Sequence, residues 1–170
     1  MCLVCKIVFI SYSKITELRA PDMGQQQQKN TIKTLRQTAK DCLKDGRHTE
    51  AFLHLSHAIQ LDKDNCELLS ERSRCGRDNI QYHFAIEDAQ QIIQLRPESW
   101  LGHVRLAEVY QVTFNYDLAI PAFQTAFQCL DADKSYCKLQ IDTCKRESIL
   151  DKRANMYVVR NMTTQNQNHC

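Results

Sequence analysis

The sequence predicts an all-α domain built from three tandem helix–turn–helix units and closed by one further helix. Three observations carry this. The chain matches itself at a shift of 34 residues, stacking Ala51 on Ala85 on Ala119 and Leu55 on Ala89 on Phe123. Within each copy the apolar residues recur at helical spacing, as in Ala85, Ala89, Ile92 and Ile93. Punctuation is sparse: 170 residues hold 4 Gly and 3 Pro, too few for a chain that turns every 8–12 residues as an all-β protein does.

The elements follow in order. The repeats span residues 32–65, 66–99 and 100–133 within a domain covering 31–150. The shift of 34 also aligns His48 with Tyr82 and Tyr116, Ala58 with Ile92 and Ala126, and Leu61 with Leu95 and Cys129. In the second repeat, Cys66 to Asn79 reads as the first helix and His83 to Arg96 as the second, with Pro97 stopping the latter. Gly46 suits a helix C-terminus. Alanine at 51, 85 and 119 lets paired helices approach closely, because a larger side chain would push their axes apart. One such pair cannot bury its own apolar face; a stack of three can. Residues 134–150 put Cys137, Ile141 and Cys144 on one face and read as a helix capping the last core layer. Residues 1–30, with the Gln25–Gln28 tract, are expected as a disordered extension, and 151–170 as a polar tail.

This pattern resembles the tetratricopeptide repeat (TPR) family. The family's succession of apolar, Gly, aromatic, Ala and Pro positions is met as Leu35, Ala39, Gly46, Ala51, Leu55 and Ala58 in the first copy. In the second it is met as Leu69, Tyr82, Ala85 and Pro97, and in the third as Leu106, Ala107, Tyr110, Tyr116, Ala119, Phe123 and Ala126. The Gly position holds Ile80 and Phe114 in the later copies, and the Pro position holds Lys63 and Asp131 in the outer ones. The resemblance implies a right-handed superhelix whose concave groove is lined by the first helix of each repeat.

Carrying over the family's groove positions gives Lys33, Arg36, Gln37 and Lys40, then Glu67, Ser70, Glu71 and Arg74, then Leu101, Val104, Arg105 and Glu108. Lys44 and Arg77 lie one turn further along. TPR domains of chaperone co-factors grip an acidic C-terminal tail with a carboxylate clamp, through charge-assisted hydrogen bonds. Here the first clamp cation is met as Arg36 and the last as Arg105, while Lys40, Glu71 and Leu101 replace the other three positions. The expectation is a co-chaperone-like adaptor with a degenerate clamp and an altered ligand preference. Lys33, Arg36, Lys40, Arg74, Arg105 and Glu108 supply the polar groove, and Leu101 and Val104 an apolar contact. The partner expected is a protein or peptide, a chaperone C-terminal tail among the candidates. The alternative is a structural or self-associating scaffold.

Other chemistry is disfavoured. The net charge is +2, and residues 31–150 carry 15 Lys/Arg against 17 Asp/Glu, unlike a strongly basic nucleic-acid domain. Nine cysteines, odd in number and irregularly spaced, read as reduced thiols rather than a disulfide framework. Cys2-x-x-Cys5 lacks a second pair, and His54 with His57 lacks a third ligand, so no metal or other cofactor is expected. No GxGxxG, GxxxxGKS, GxSxG or HExxH occurs, and no enzymatic role is expected. The apolar stretch at residues 1–10 is too short to span a bilayer and is a poor signal peptide, so no membrane association and a cytoplasmic address are expected. Trp100 reads as packing at a repeat junction, with an anchor for a partner as the other reading.

Overall fold

The computed structural model describes the backbone of residues 3–167 and the side chains of residues 24–156. Among the described residues there are seven helices and no strand. They are α1 (Leu3–Lys44), α2 (His48–Leu61), α3 (Cys66–Asp78), α4 (Tyr82–Leu95), α5 (Trp100–Val112), α6 (Tyr116–Gln128) and α7 (Lys134–Gln167). The chain divides into two compact units, Met1–Lys63 and Asp64–Cys170. The first holds α1 and α2, and the second the remaining five helices.

In the first unit, α1 and α2 pack through Ala39, Cys42, Ala51, Leu55, Ala58 and Ile59, all buried. The helix α1 is longer than one repeat requires. It runs unbroken through Gln25–Gln28, where composition alone suggests no structure. Glutamine costs little in a helix, and the Gln28 side-chain amide donates to the Leu61 carbonyl at the end of α2. That bond braces the tract against its neighbour.

In the second unit α3 pairs with α4, α4 with α5, α5 with α6 and α6 with α7, while α3 also touches α5. The small positions behave as the period requires: Ala85, Ala89, Ala119 and Ala126 are fully buried, beside Ile92 and Phe123. Cys137 and Cys144 of α7 complete this core, with Ile141 packed against it. The helix α7 continues well past Leu150, the end expected for the cap. No Gly or Pro occurs between Lys134 and Gln167 to stop it.

Side chains cap the starts of α3, α5 and α7. Asn65 accepts from the amides of Glu67 and Leu68, each at 3.2 Å, and caps α3. Ser99 accepts from the Leu101 amide at 3.4 Å at the head of α5, and Asp133 from the Tyr136 amide at 3.0 Å at the head of α7. The three first helices end alike. At each end two amides fold back onto the last turn: Gly46 to Leu43 and Arg47 to Cys42, Ile80 to Arg77 and Gln81 to Gly76, Phe114 to Gln111 and Asn115 to Tyr110. This is the Schellman pattern, whose hinge residue must be left-handed. The hinges are Gly46 (φ 74°), Ile80 (φ 60°) and Phe114 (φ 61°).

The second unit also contains a buried ion pair. The Arg72 guanidinium grips Asp88 through two bonds of 2.9 and 2.6 Å, with Asp88 almost wholly enclosed. Burial pushes the Asp88 carboxyl up, and Arg72 opposes that rise. Among the described residues no helix is long and apolar enough to cross a membrane.

Candidate peptide-binding site

The candidate site in the second unit is a cavity of ≈ 390 Å³ lined by Arg74, Arg77, Trp100, Val104, Arg105, Glu108, Asp133 and Tyr136. Three helices supply it: α3 gives Arg74 and Arg77, α5 gives Trp100 through Glu108, and α7 gives Tyr136. Glu108 lies at its centre, buried although it is a carboxylate. Its Oε2 accepts from Arg77 Nη1 at 2.8 Å and from Arg105 Nη1 at 2.8 Å, and its Oε1 from the Tyr136 hydroxyl at 2.7 Å. Three donors on one carboxylate satisfy the need that burial creates.

The arginines have second partners. Arg77 also pairs with Asp78 at 2.8 Å, and Arg105 Nε donates to the Ser70 hydroxyl at 2.8 Å. Arg74, exposed on the rim, has no ion-pair or hydrogen-bond partner among the described residues. The lining therefore holds three guanidinium groups against two carboxylates, Glu108 and Asp133, and its unneutralised cation is at the mouth. Burial, and next the hydrogen bond to Glu108, push the Tyr136 phenol well above its ordinary range. The phenol stays protonated and remains a donor to Glu108 at neutral pH.

Of the residues the sequence nominates, Arg74, Val104, Arg105 and Glu108 come together in this one cavity. Val104 forms its inner wall and is itself core, only 1% exposed. Leu101 is half-buried in the first turn of α5 and is not part of the lining. Lys33, Arg36 and Lys40 lie on α1 in the other unit; Lys33 and Lys40 are exposed and Arg36 is half-buried. Arg77, Trp100, Asp133 and Tyr136 are lining residues that the groove positions do not pick out. The Arg105–Glu108 spacing of three was a readable sign that this cation has its own carboxylate. Trp100 packs edge-on against Tyr136, ring centroids 6.5 Å apart, and also lines the cavity. The Cys2–Cys5 pair lies outside the described side chains.

No protein-family model matches the chain. It is 27% identical over 120 residues to a U-box domain-containing protein 70 of rice (Oryza sativa subsp. japonica), an alignment covering 71% of this chain and 14% of that protein. The Sgt2 TPR domain from Aspergillus fumigatus superposes with a TM-score of 0.63 at 18% identity, covering 72% of this chain and 82% of that one. The TPR2B domain of yeast Sti1, in its complex with pHsp70, superposes with a TM-score of 0.62 at 15% identity, covering 71% and 98%. At such identities the likeness is one of fold, and the fold of this chain is that of a tetratricopeptide-repeat domain.

Proposed function

We propose that the chain is a protein-interaction module, a co-chaperone-like adaptor that holds a peptide segment of its partner along the first helices of its repeats. The observation that carries this reading is the arginine-lined cavity of the second unit, with Arg74 unpaired at its mouth and Arg77 and Arg105 held in place by Glu108. Guanidinium groups fixed beforehand bind a carboxylate with little loss of side-chain freedom. The complex of the Sti1 domain with pHsp70 supports a peptide as the class of ligand. In the first unit, taken by itself, Lys33, Arg36 and Lys40 of α1 are proposed as further cationic contacts for a peptide, and in the second Leu101 of α5 as an apolar one.

Glu108 tunes the preference. Its charge offsets one of the cations, so a ligand carboxylate is drawn to Arg74 and to the outer face of Arg105 rather than between Arg77 and Arg105. An acidic segment that makes one or two such contacts fits better than one needing a complete five-point clamp.

The test is a fluorescence anisotropy titration of the full chain with labelled acidic C-terminal peptides at low and moderate salt. Binding that weakens as salt rises, and about tenfold in Arg74→Glu, is expected, because screening and charge reversal both act on the same contact. Arg74 has no structural partner, so its variant should keep the native helicity. Binding indifferent to Arg74→Glu, or absent for every acidic peptide, would refute the proposal.

A further inference from the structure

The hinges of the second unit point to another surface. A Schellman hinge needs positive φ, which glycine adopts freely and β-branched or aromatic residues do not. The first hinge is Gly46, yet the equivalent residues 34 and 68 positions later are Ile80 and Phe114, at φ 60° and 61°. Neither is held there by burial, for Ile80 is 75% exposed and Phe114 72%. Each therefore combines backbone strain with a large apolar side chain in water, a pairing that the fold itself does not require.

The feature repeats once more. Phe84 and Leu118, each the third residue of its second helix and again 34 apart, are also exposed. Short connections make the packed helices α3, α4, α5 and α6 run in alternating directions, so the turns α3–α4 and α5–α6 lie at one end of them. Ile80, Phe84, Phe114 and Leu118 thus set four exposed apolar side chains along that edge. At the Phe114 end the edge borders a cleft of ≈ 130 Å³ walled by Tyr116, Asp117, Ser148, Asp151 and Lys152. Glu147 and Asp151 act on the Tyr116 phenol at the same place. Carboxylates dominate this border: Asp117, Glu147 and Asp151 against Lys152, which reaches Asp117 at 3.8 Å.

We infer that this edge docks an amphipathic segment of a partner protein that presents apolar side chains together with lysine or arginine. The apolar side chains cover Ile80, Phe84, Phe114 and Leu118, and the cations meet the carboxylates around the cleft. This surface is independent of the arginine-lined cavity, whose charge has the opposite sign, and it stands or falls separately.

The probe is a synthetic amphipathic helix of Leu and Lys, about five turns long, titrated against the full chain beside a Leu/Gln helix of the same pattern, which carries no charge for the arginine-lined cavity. The Leu/Lys helix should bind about tenfold more tightly than the Leu/Gln one. Ile80→Gly with Phe114→Gly installs the residue that the first hinge already has, so its urea midpoint should equal or exceed that of the parent while peptide binding falls about tenfold. Leu118→Gln, an exposed helical change, should weaken binding with no change of hinge. Equal binding of the two peptides, or undiminished binding in both variants, would overturn the inference. So would self-association, seen by sedimentation and abolished by the glycine variant, because the occupant would then be a second copy of this chain.

Discussion

Removing the Glu108 carboxylate tests the physical account of the second unit most directly. In Glu108→Ala three donors lose their acceptor at once: Arg77 and Arg105, each at 2.8 Å, and the Tyr136 hydroxyl at 2.7 Å. Breaking a fully buried ion pair costs about 3–5 kcal/mol, which is the upper limit here. Arg77 and Arg105 retain 20% and 15% of their side-chain exposure, and each keeps a second partner, Asp78 or Ser70. Partial rehydration lowers the expected loss to about 2–3 kcal/mol. Glu108→Gln keeps the shape and one acceptor oxygen but not the charge, so about 1–2 kcal/mol is expected. The assay is urea unfolding followed by far-UV circular dichroism, with Tyr136→Phe completing a double-mutant cycle. A coupling of about 1 kcal/mol between Glu108 and Tyr136 is expected. A loss below about 0.5 kcal/mol for Glu108→Ala, the size of an ordinary surface change, would refute the argument that the cavity is organised around this carboxylate.

Two further outcomes follow from packing and titration. A Cβ at Gly102 would sit 2.7 Å from Ile93 Cγ1 and 2.9 Å from the Ile93 amide nitrogen, and backbone cannot step aside cheaply. Gly102→Ala gains about 1 kcal/mol of helix propensity but incurs about 1–3 kcal/mol of overpacking. A net loss should appear as a lower urea midpoint, and a midpoint at or above the parent would contradict the close crossing of α4 and α5. Alkaline pH should also destabilise the second unit. The Cys75 thiol is pushed by burial from 9.0 to about 11, and the Tyr136 phenol is raised from 10.0. Both are neutral when protonated and hold their protons more tightly folded than unfolded, so their contribution is complete below pH 9 and is lost as pH rises beyond it. Urea midpoints at pH 8, 9.5 and 11 should fall in that order, with the last step smaller in Tyr136→Phe.

The fold is legible in the sequence because repetition removes ambiguity. A single Ala85 says little; Ala51, Ala85 and Ala119 at equal spacing require three close helix crossings, and all three are fully buried. The second-repeat helices begin and end within a residue of where their apolar spacing and Pro97 put them. Legibility fades where no repetition exists. Nothing in Gln25–Gln28 signals that α1 continues through it, because the bond that braces Gln28 comes from Leu61, 33 residues away. Likewise α7 runs on past Leu150 through a polar stretch without an amphipathic signal strong enough to read. The site is legible by halves. Groove positions bring Arg74, Arg105 and Glu108 into one cavity, but they treat Arg105 as a cation waiting for a ligand. Tyr136 escapes notice because it comes from the cap, outside the repeated pattern, and the partnership of Arg77 with Glu108 crosses 31 residues. Position along a helix identifies which side chains share a face; it does not say which of them have already neutralised one another.

That last distinction bears on what the cavity can accept. Glu108 stabilises the second unit by satisfying Arg77, Arg105 and Tyr136 together, and the same charge repels an incoming carboxylate. Stability and affinity for an acidic peptide therefore pull against each other at one residue. Glu108→Gln should lower the urea midpoint while tightening the acidic peptide, since the lining then holds three cations against the single carboxylate of Asp133. Arg74→Glu should leave the midpoint unchanged, because Arg74 has no partner among the described residues, and weaken the peptide. Damage to folding alone would move stability and binding downward together, so opposite movement in the Glu108 variant cannot come from a misfolded fraction. Parallel losses in Glu108→Gln, with far-UV circular dichroism showing the variant fully folded under the binding conditions, would refute the claim that this carboxylate repels an acidic ligand.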